Sequence, residues 1–186
     1  SYTMFLFIIV NYIINNLKTH NMKNFLILFT AFIFCSCTNN EMGYGSIQNE
    51  DDLSKLTIQI AQEYTKAEFE NASKVYSDSV SLLFNSNEVI GKEKLINGWI
   101  EEHRVFSNIS ISDEYVHTNT FADGRVWTNY WFVWKGTGNF TGKELEIRAH
   151  FDYKWENGKI VRAQGYFSDE DFNKEYAAAD GLQKRY

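Results

Sequence analysis

The ten residues RVWTNYWFVW, Arg125 to Trp134, decide the fold. They are apolar or aromatic on both alternating faces, with Thr128 and Asn129 as the interruptions, and a strand of that kind is central and covered on both sides. Trp127 and Trp131 share one parity and Tyr130 and Trp134 the other, so the strand offers aromatic rings to both sides of a sheet. Reading outward, Ala122-Asp123-Gly124 is a turn before it. Upstream of that turn Ile109, Ile111 and Tyr115 belong to a strand ending near Thr118. Downstream, residues 135–142 (KGTGNFTG) turn into a strand over 143–155. The Asn157-Gly158 pair closes a tight hairpin, 160–167 forms the last strand, and 169–179 a final short helix.

Farther upstream the period changes to that of helices. Leu53, Leu56, Ile58, Ile60, Ala61, Tyr64, Ala67 and Phe69 form an apolar stripe over 51–70, with Asp51 and Asp52 at its amide-rich start. Asn71, Ala72 and Ser73 interrupt it. Residues 74–80 then predict a second short helix, with short strands at 81–84 and 88–90. Gly91 opens a third helix to about Arg104, with Leu95, Ile96, Trp99 and Ile100 on one face. Helices followed by a meander of antiparallel strands make the class α+β, with one domain over 51–180.

Aromatic residues are 17% of the 186, high enough to place rings in a core or against a ligand. A net charge of -6 with no clustered Lys and Arg argues against nucleic acid as a partner. Both cysteines, Cys35 and Cys37, precede the domain, which therefore has neither a disulfide nor a thiolate metal site. The Gly136-Thr137-Gly138 stretch lacks the Lys and helix of a phosphate loop. His103 and His117 lack the companions a metal requires, and no metal or other cofactor is expected.

Two apolar stretches, 4–14 and 25–34, open the chain, each far short of the roughly 20 residues of a membrane-spanning helix. Met22-Lys23-Asn24, the apolar run and the small residue Ser36 follow the plan of a secretory signal. Its end, Phe34-Cys35-Ser36-Cys37, resembles the lipobox of bacterial lipoproteins, which implies a lipid on Cys37 and a place in the cell envelope. A cleaved, unlipidated secreted form and a retained buried helix are the alternatives. On this reading 1–21 is an upstream extension, 22–36 the signal and 37–50 a polar tether.

The order and spacing of EYTKAEFENASKVYSDSVSLLF, GKEKLINGWI and WKGTGNFTGKELEIRAHFDYKWENGKIVRAQGYF resemble the nuclear transport factor 2-like (NTF2-like) fold, especially its SnoaL-like polyketide cyclase and ketosteroid isomerase branch. The resemblance spans about residues 52–175. It implies a cystatin-like cone in which helices close a strongly bent, mainly antiparallel sheet around a pocket. The family includes isomerases, cyclases, epoxide hydrolases, dehydratases and proteins with no enzymatic activity, so the fold supplies a pocket and no particular reaction. Aligned from the ENGKI turn, the polar cavity residue frequent in the family falls at Phe151.

Arg148, His150 and Asp152 share one strand face, and Ala149, Phe151, Tyr153 and Trp155 the other. Which face lines the cavity stays open, because bulges are common at such rims. His150, oriented by Asp152, is the candidate acid or base. The alternative places both in an external ionic network with Arg148 and Lys154. Trp99, Trp127, Tyr130, Trp131, Trp134, Phe151, Tyr153 and Tyr166 are the candidate pocket residues, with core filling or a dimer interface as their plainer roles. The expected function is a lipid-anchored, noncatalytic domain that binds a small hydrophobic ligand or a protein. The alternative is an isomerase, cyclase or dehydratase acting through His150, and a homodimer through the outer sheet face is compatible with either.

Overall fold

The computed structural model describes residues 45–183; the leader and Cys37 lie outside them. The elements run β1 Ser46–Gln48, α1 Asp52–Tyr64, α2 Glu70–Val75, β2 Tyr76–Phe84, β3 Asn87–Ile90, α3 Lys92–Val105, β4 Phe106–Thr120, β5 Val126–Gly138, β6 Glu144–Glu156, β7 Lys159–Phe167 and α4 Glu170–Gln183. The strands form one seven-stranded sheet in the order β1-β4-β5-β6-β7-β2-β3. Among the described residues only β2 and β7 pair in parallel, so the fold is α+β with a mixed, mainly antiparallel sheet. All of RVWTNYWFVW except Arg125 lies in β5, paired along its length with β4 and β6. Among the described residues no helix is long and apolar enough to cross a membrane.

Local chemistry sets the element ends. Asp51 caps α1, its Oδ1 accepting from the Leu53 and Ser54 amides at 3.0 Å each. The helix stops at Tyr64, short of the expected Glu70, because Ala67 adopts φ 57, a left-handed turn that ends the helical ladder. Residues 71–73, expected as a break, are inside α2, and 76–80, expected as helix, are strand. Tyr76, Val80 and Leu82 all face the core from β2, and pairing with β7 overrides a local pattern that also fits a helix turn. Ser46–Gln48, in the stretch expected to be a tether, adds to the edge of β4. β5 runs three residues past the expected turn at Lys135.

The sheet bends where β4 carries irregularities against β5, between Ser107 and Ser110 and between Ser112 and Tyr115. Asn108 at φ 54 and Asp113 at φ 52 occupy those positions, and Asn and Asp tolerate the left-handed backbone that a bulge of this kind uses. At the other end, Asn157 at φ 50 and Gly158 at φ 72 form the expected two-residue hairpin. A chain of hydroxyls pins α1 to the sheet. Ser54 Oγ meets Thr118 Oγ1 at 3.0 Å, which meets Thr128 Oγ1 at 2.9 Å, which accepts from Trp155 Nε1 at 2.9 Å. Thr128 therefore interrupts an apolar strand without leaving a buried polar atom unpaired.

Two apolar clusters fill the inner side. One gathers Ile60, Tyr76, Val80, Leu82, Leu95 and Ile160; the other gathers Tyr64, Val105, Phe106, Trp134, Leu145 and Ala179, the last brought by α4. Ile100, expected on the apolar face of α3, is 53% exposed, because the inward stripe of that helix runs instead through Leu95, Trp99 and Glu102.

Candidate functional site

A cavity of about 400 Å³ lies between these clusters and draws its walls from both. The size is within the range usual for small-molecule sites. Alternation along the strands decides its lining: β5 turns in the even-numbered Tyr130, Phe132 and Trp134, and β6 the odd-numbered Ile147, Ala149, Phe151 and Tyr153. From the helices come Ile60 and Tyr64 on α1, and Gly98, Trp99 and Glu102 on α3. Trp99 is boxed by other rings, with Tyr64 at 5.4 Å and Tyr76 at 6.0 Å between centroids.

Five of the eight expected pocket residues, Trp99, Tyr130, Trp134, Phe151 and Tyr153, line this cavity. Trp127, Trp131 and Tyr166 do not. Trp131 and Tyr166 are 38% and 46% exposed on the outer sheet face, and Trp127 shares the parity of Trp131. His150 and Asp152 are on that outer face too. The His150 ring stacks on Trp131 at 4.3 Å with 9° between planes. Its Nε2 lies 3.0 Å from Asp152 Oδ1, an ion-pair distance, but with an orientation that makes no hydrogen bond. Asp152 also accepts from the Asn129 amide. The pair is close, as expected, yet it is not in the cavity wall, because Phe151 and Tyr153 take the inward parity of β6. Acid-base chemistry inside the cone cannot run through His150 in this arrangement.

The cavity holds a different ionisable group. Trp134 Nε1 donates to the Tyr64 hydroxyl at 3.0 Å, and that hydroxyl donates to Glu102 Oε1. Burial pushes the Glu102 carboxyl up to about 7, with the Tyr64 hydrogen bond opposing part of the rise. Glu102 is half-buried and lines the cavity. Burial, and then the adjacent Glu102, raise the Tyr64 phenol well above its ordinary range. Burial likewise raises Tyr76, Tyr130 and Tyr153, and Tyr130 donates to Glu114. These phenols stay protonated at neutral pH and present hydrogen-bond donors rather than charges.

Glu102 and Tyr64 are not among the candidate site residues expected from the sequence. The signal was present in α3, where Glu102 falls three residues after Trp99 and seven after Leu95 on the helix's apolar stripe. His103 has a structural role, its Nε2 lying 2.7 Å from the Tyr64 carbonyl. His117 stacks on the outer side of Trp131 at 5.3 Å. Among the described residues no three His, Cys, Asp or Glu side chains converge as metal ligands.

No protein-family model and no curated protein matches the sequence. Solved structures match the fold. A protein of Bacillus subtilis provisionally named an isomerase superposes with a TM-score of 0.55 at 12% identity, over 67% of this chain and 91% of its own. A provisionally named polyketide cyclase of Xanthomonas campestris gives 0.54 at 14% identity, over 66% of this chain and 94% of its own. A provisionally named SnoaL-like polyketide cyclase of Jannaschia gives 0.52 at 12% identity, over 65% of this chain and 88% of its own. The described domain therefore has the NTF2-like cone fold, and identities this low carry the fold alone.

Proposed function

We propose that the domain binds a small, largely apolar molecule inside the cone and works outside the cytoplasm, held to a membrane by a lipid on Cys37. The observation that carries the binding reading is the aromatic-walled cavity of about 400 Å³. Gly98 supports it. A glycine inside a helix costs roughly 1 kcal/mol against alanine. A Cβ there would meet nothing within 4 Å, so no neighbouring atom excludes a side chain from the position. Gly98 is exposed where it lines the cavity, so the missing side chain leaves that part of the wall open.

The neutral dye N-phenyl-1-naphthylamine should bind the wild-type chain with enhanced fluorescence and lose that enhancement in Gly98→Trp. Equal, weak dye signals from both proteins would end the binding reading. The anchor rests on Ser36-Cys37 and the apolar run before them. Cys37→Ala should move the protein from the membrane pellet to the soluble fraction and abolish labelling by radioactive palmitate; unchanged labelling would remove Cys37 as the acylated residue.

A second reading is favoured by one observation, the Glu102 carboxyl poised at about 7 in an apolar cavity. An isomerase, cyclase or dehydratase built on this cone would move its proton through Glu102, with Tyr64 holding the carboxylate, and the names of the solved neighbours fit such chemistry. Its test is solvent deuterium wash-in at the acidic carbon of 2-tetralone, accelerated by wild type and not by Glu102→Gln. A rate equal to buffer for the wild type would reject it.

A further inference from the structure

We infer that the cone takes cationic amines with an apolar body, the ammonium group seated against Glu102 among the rings of Trp99, Tyr64 and Tyr76. The inference rests on the binding reading above and names the class of ligand.

Glu102 Oε1 is occupied by the Tyr64 hydroxyl, while Oε2 has no protein donor among the described residues. No Lys or Arg of the described residues pairs with this carboxylate. Arg104, two residues on, is taken up by Glu101 through both Nε and Nη2. Lys94 is on the same stripe, but eight residues earlier, which is about 12 Å along the helix. A carboxylate turned into an apolar cavity without a cation is costly, and a ligand that brings the cation relieves that cost.

The surrounding rings favour the same partner. Trp99 has Tyr64 and Tyr76 within 5.4 and 6.0 Å, tilted at 58° and 83°. All three rings line the same cavity as Glu102, and a ring face open to it attracts an ammonium ion. Farther along the wall Phe132 and Phe151 stack at 5.6 Å and offer no polar atoms, a surface suited to the ligand's hydrocarbon or aryl part. An anionic ligand would meet Glu102 with like charge. A neutral alcohol could use the Oε2 acceptor but would gain nothing from the charge.

Three probes of one shape separate these cases: 4-phenylbutylamine, 4-phenylbutan-1-ol and 4-phenylbutanoate, titrated by calorimetry into the purified full chain at pH 8. The amine should bind about ten- to a hundredfold more tightly than the alcohol, and the carboxylate more weakly than either. In Glu102→Gln the amine should fall to the affinity of the alcohol, while the alcohol and N-phenyl-1-naphthylamine still bind. Equal affinities for amine and alcohol in the wild type would overturn the inference, a comparison that needs no variant to fold. So would an amine preference that survives Glu102→Gln. If the dye and the alcohol bind but the amine has no advantage, the ligand class is wrong and the cavity reading stands. If neither the dye nor any of the three binds, both fall together.

Discussion

Glu102 is in a position that ordinary packing would give to Leu or Met, and its cost to the fold depends on pH. Burial raises the carboxyl from its ordinary 4.5 to about 7. A raised carboxyl favours the native state only while it holds its proton: the benefit is complete below the unfolded value and is lost as pH rises through the folded one. A shift of that size corresponds to at most roughly 3 kcal/mol, less whatever water in the cavity returns to the charged form. Glu102→Gln keeps an acceptor for Tyr64 and cannot ionise. It should therefore melt at nearly the same temperature as wild type at pH 4 and several degrees higher at pH 8. A variant less stable than wild type at both pH values would show that the carboxylate is a structural partner of Tyr64 rather than a strained group held for a ligand. Gly98 and Glu102 thus describe one cost, a wall left open and a charge left unpaired, both at the cavity.

Between elements, the most informative contact is a carboxylate of the opposite kind. Glu175 of α4 is 1% exposed and accepts from the Phe140 amide at 2.6 Å, the Thr141 amide at 3.1 Å and the Thr141 hydroxyl, tying the last helix to the β5–β6 turn. Burial alone would raise its pKa, but the Thr141 hydroxyl and the two amides hold it below the ordinary value. Gly138 makes room, since a Cβ there would stand 2.3 Å from the carboxyl group. Glu175→Ala leaves two amides without acceptors and should cost about 2–4 kcal/mol in urea unfolding at pH 7. The depressed pKa fixes the sign of the pH effect: the stabilisation is present above the unfolded value and lost as pH falls through the folded one, so the difference narrows in acid. A constant difference down to pH 3 would count against the ionic form. None of this was legible in the sequence, because α4 and the β5–β6 turn are distant along the chain and neither has a local signature of the other. The Asn157-Gly158 hairpin and the amphipathic α1 and α3 were legible because turn chemistry and periodicity are local. The choice of inner face on β5 and β6 was not, since alternation divides each strand into two faces, and both faces here carry aromatic rings, so only the packing of the helices reveals which face is covered. That choice separated Phe151 and Tyr153 in the cavity from His150 and Asp152 outside it.

On the whole molecule, the outer sheet face that received His150 has an organisation of its own. Tyr115, Trp131, His150 and Tyr166 are register partners on four successive strands, β4 to β7, and form one row across the sheet. Tyr115 is 72% and Tyr166 46% exposed, and Trp131 is sandwiched between the rings of His117 and His150 with its edge open to solvent. Rings held by stacking have little rotamer freedom left to lose on association, so covering them recovers most of their apolar transfer energy. We propose a second copy of this chain as the cover. The same face carries Arg148 and Lys154 as well as Asp152, and a two-fold axis through the row would bring each sign opposite the other. Stable association of this kind needs about 800 Å² per partner, and a four-stranded face is wide enough to supply it. Sedimentation velocity of the purified chain should show a dimer at about 10 µM, and Trp131→Glu, which places a carboxylate in the middle of the row, should raise the dissociation constant at least about a hundredfold. The variant should keep the wild-type circular dichroism and dye binding, because Trp131 does not line the cavity. A wild-type chain that remains monomeric at 100 µM, or a Trp131→Glu chain that dimerises equally well, would leave the row to another partner.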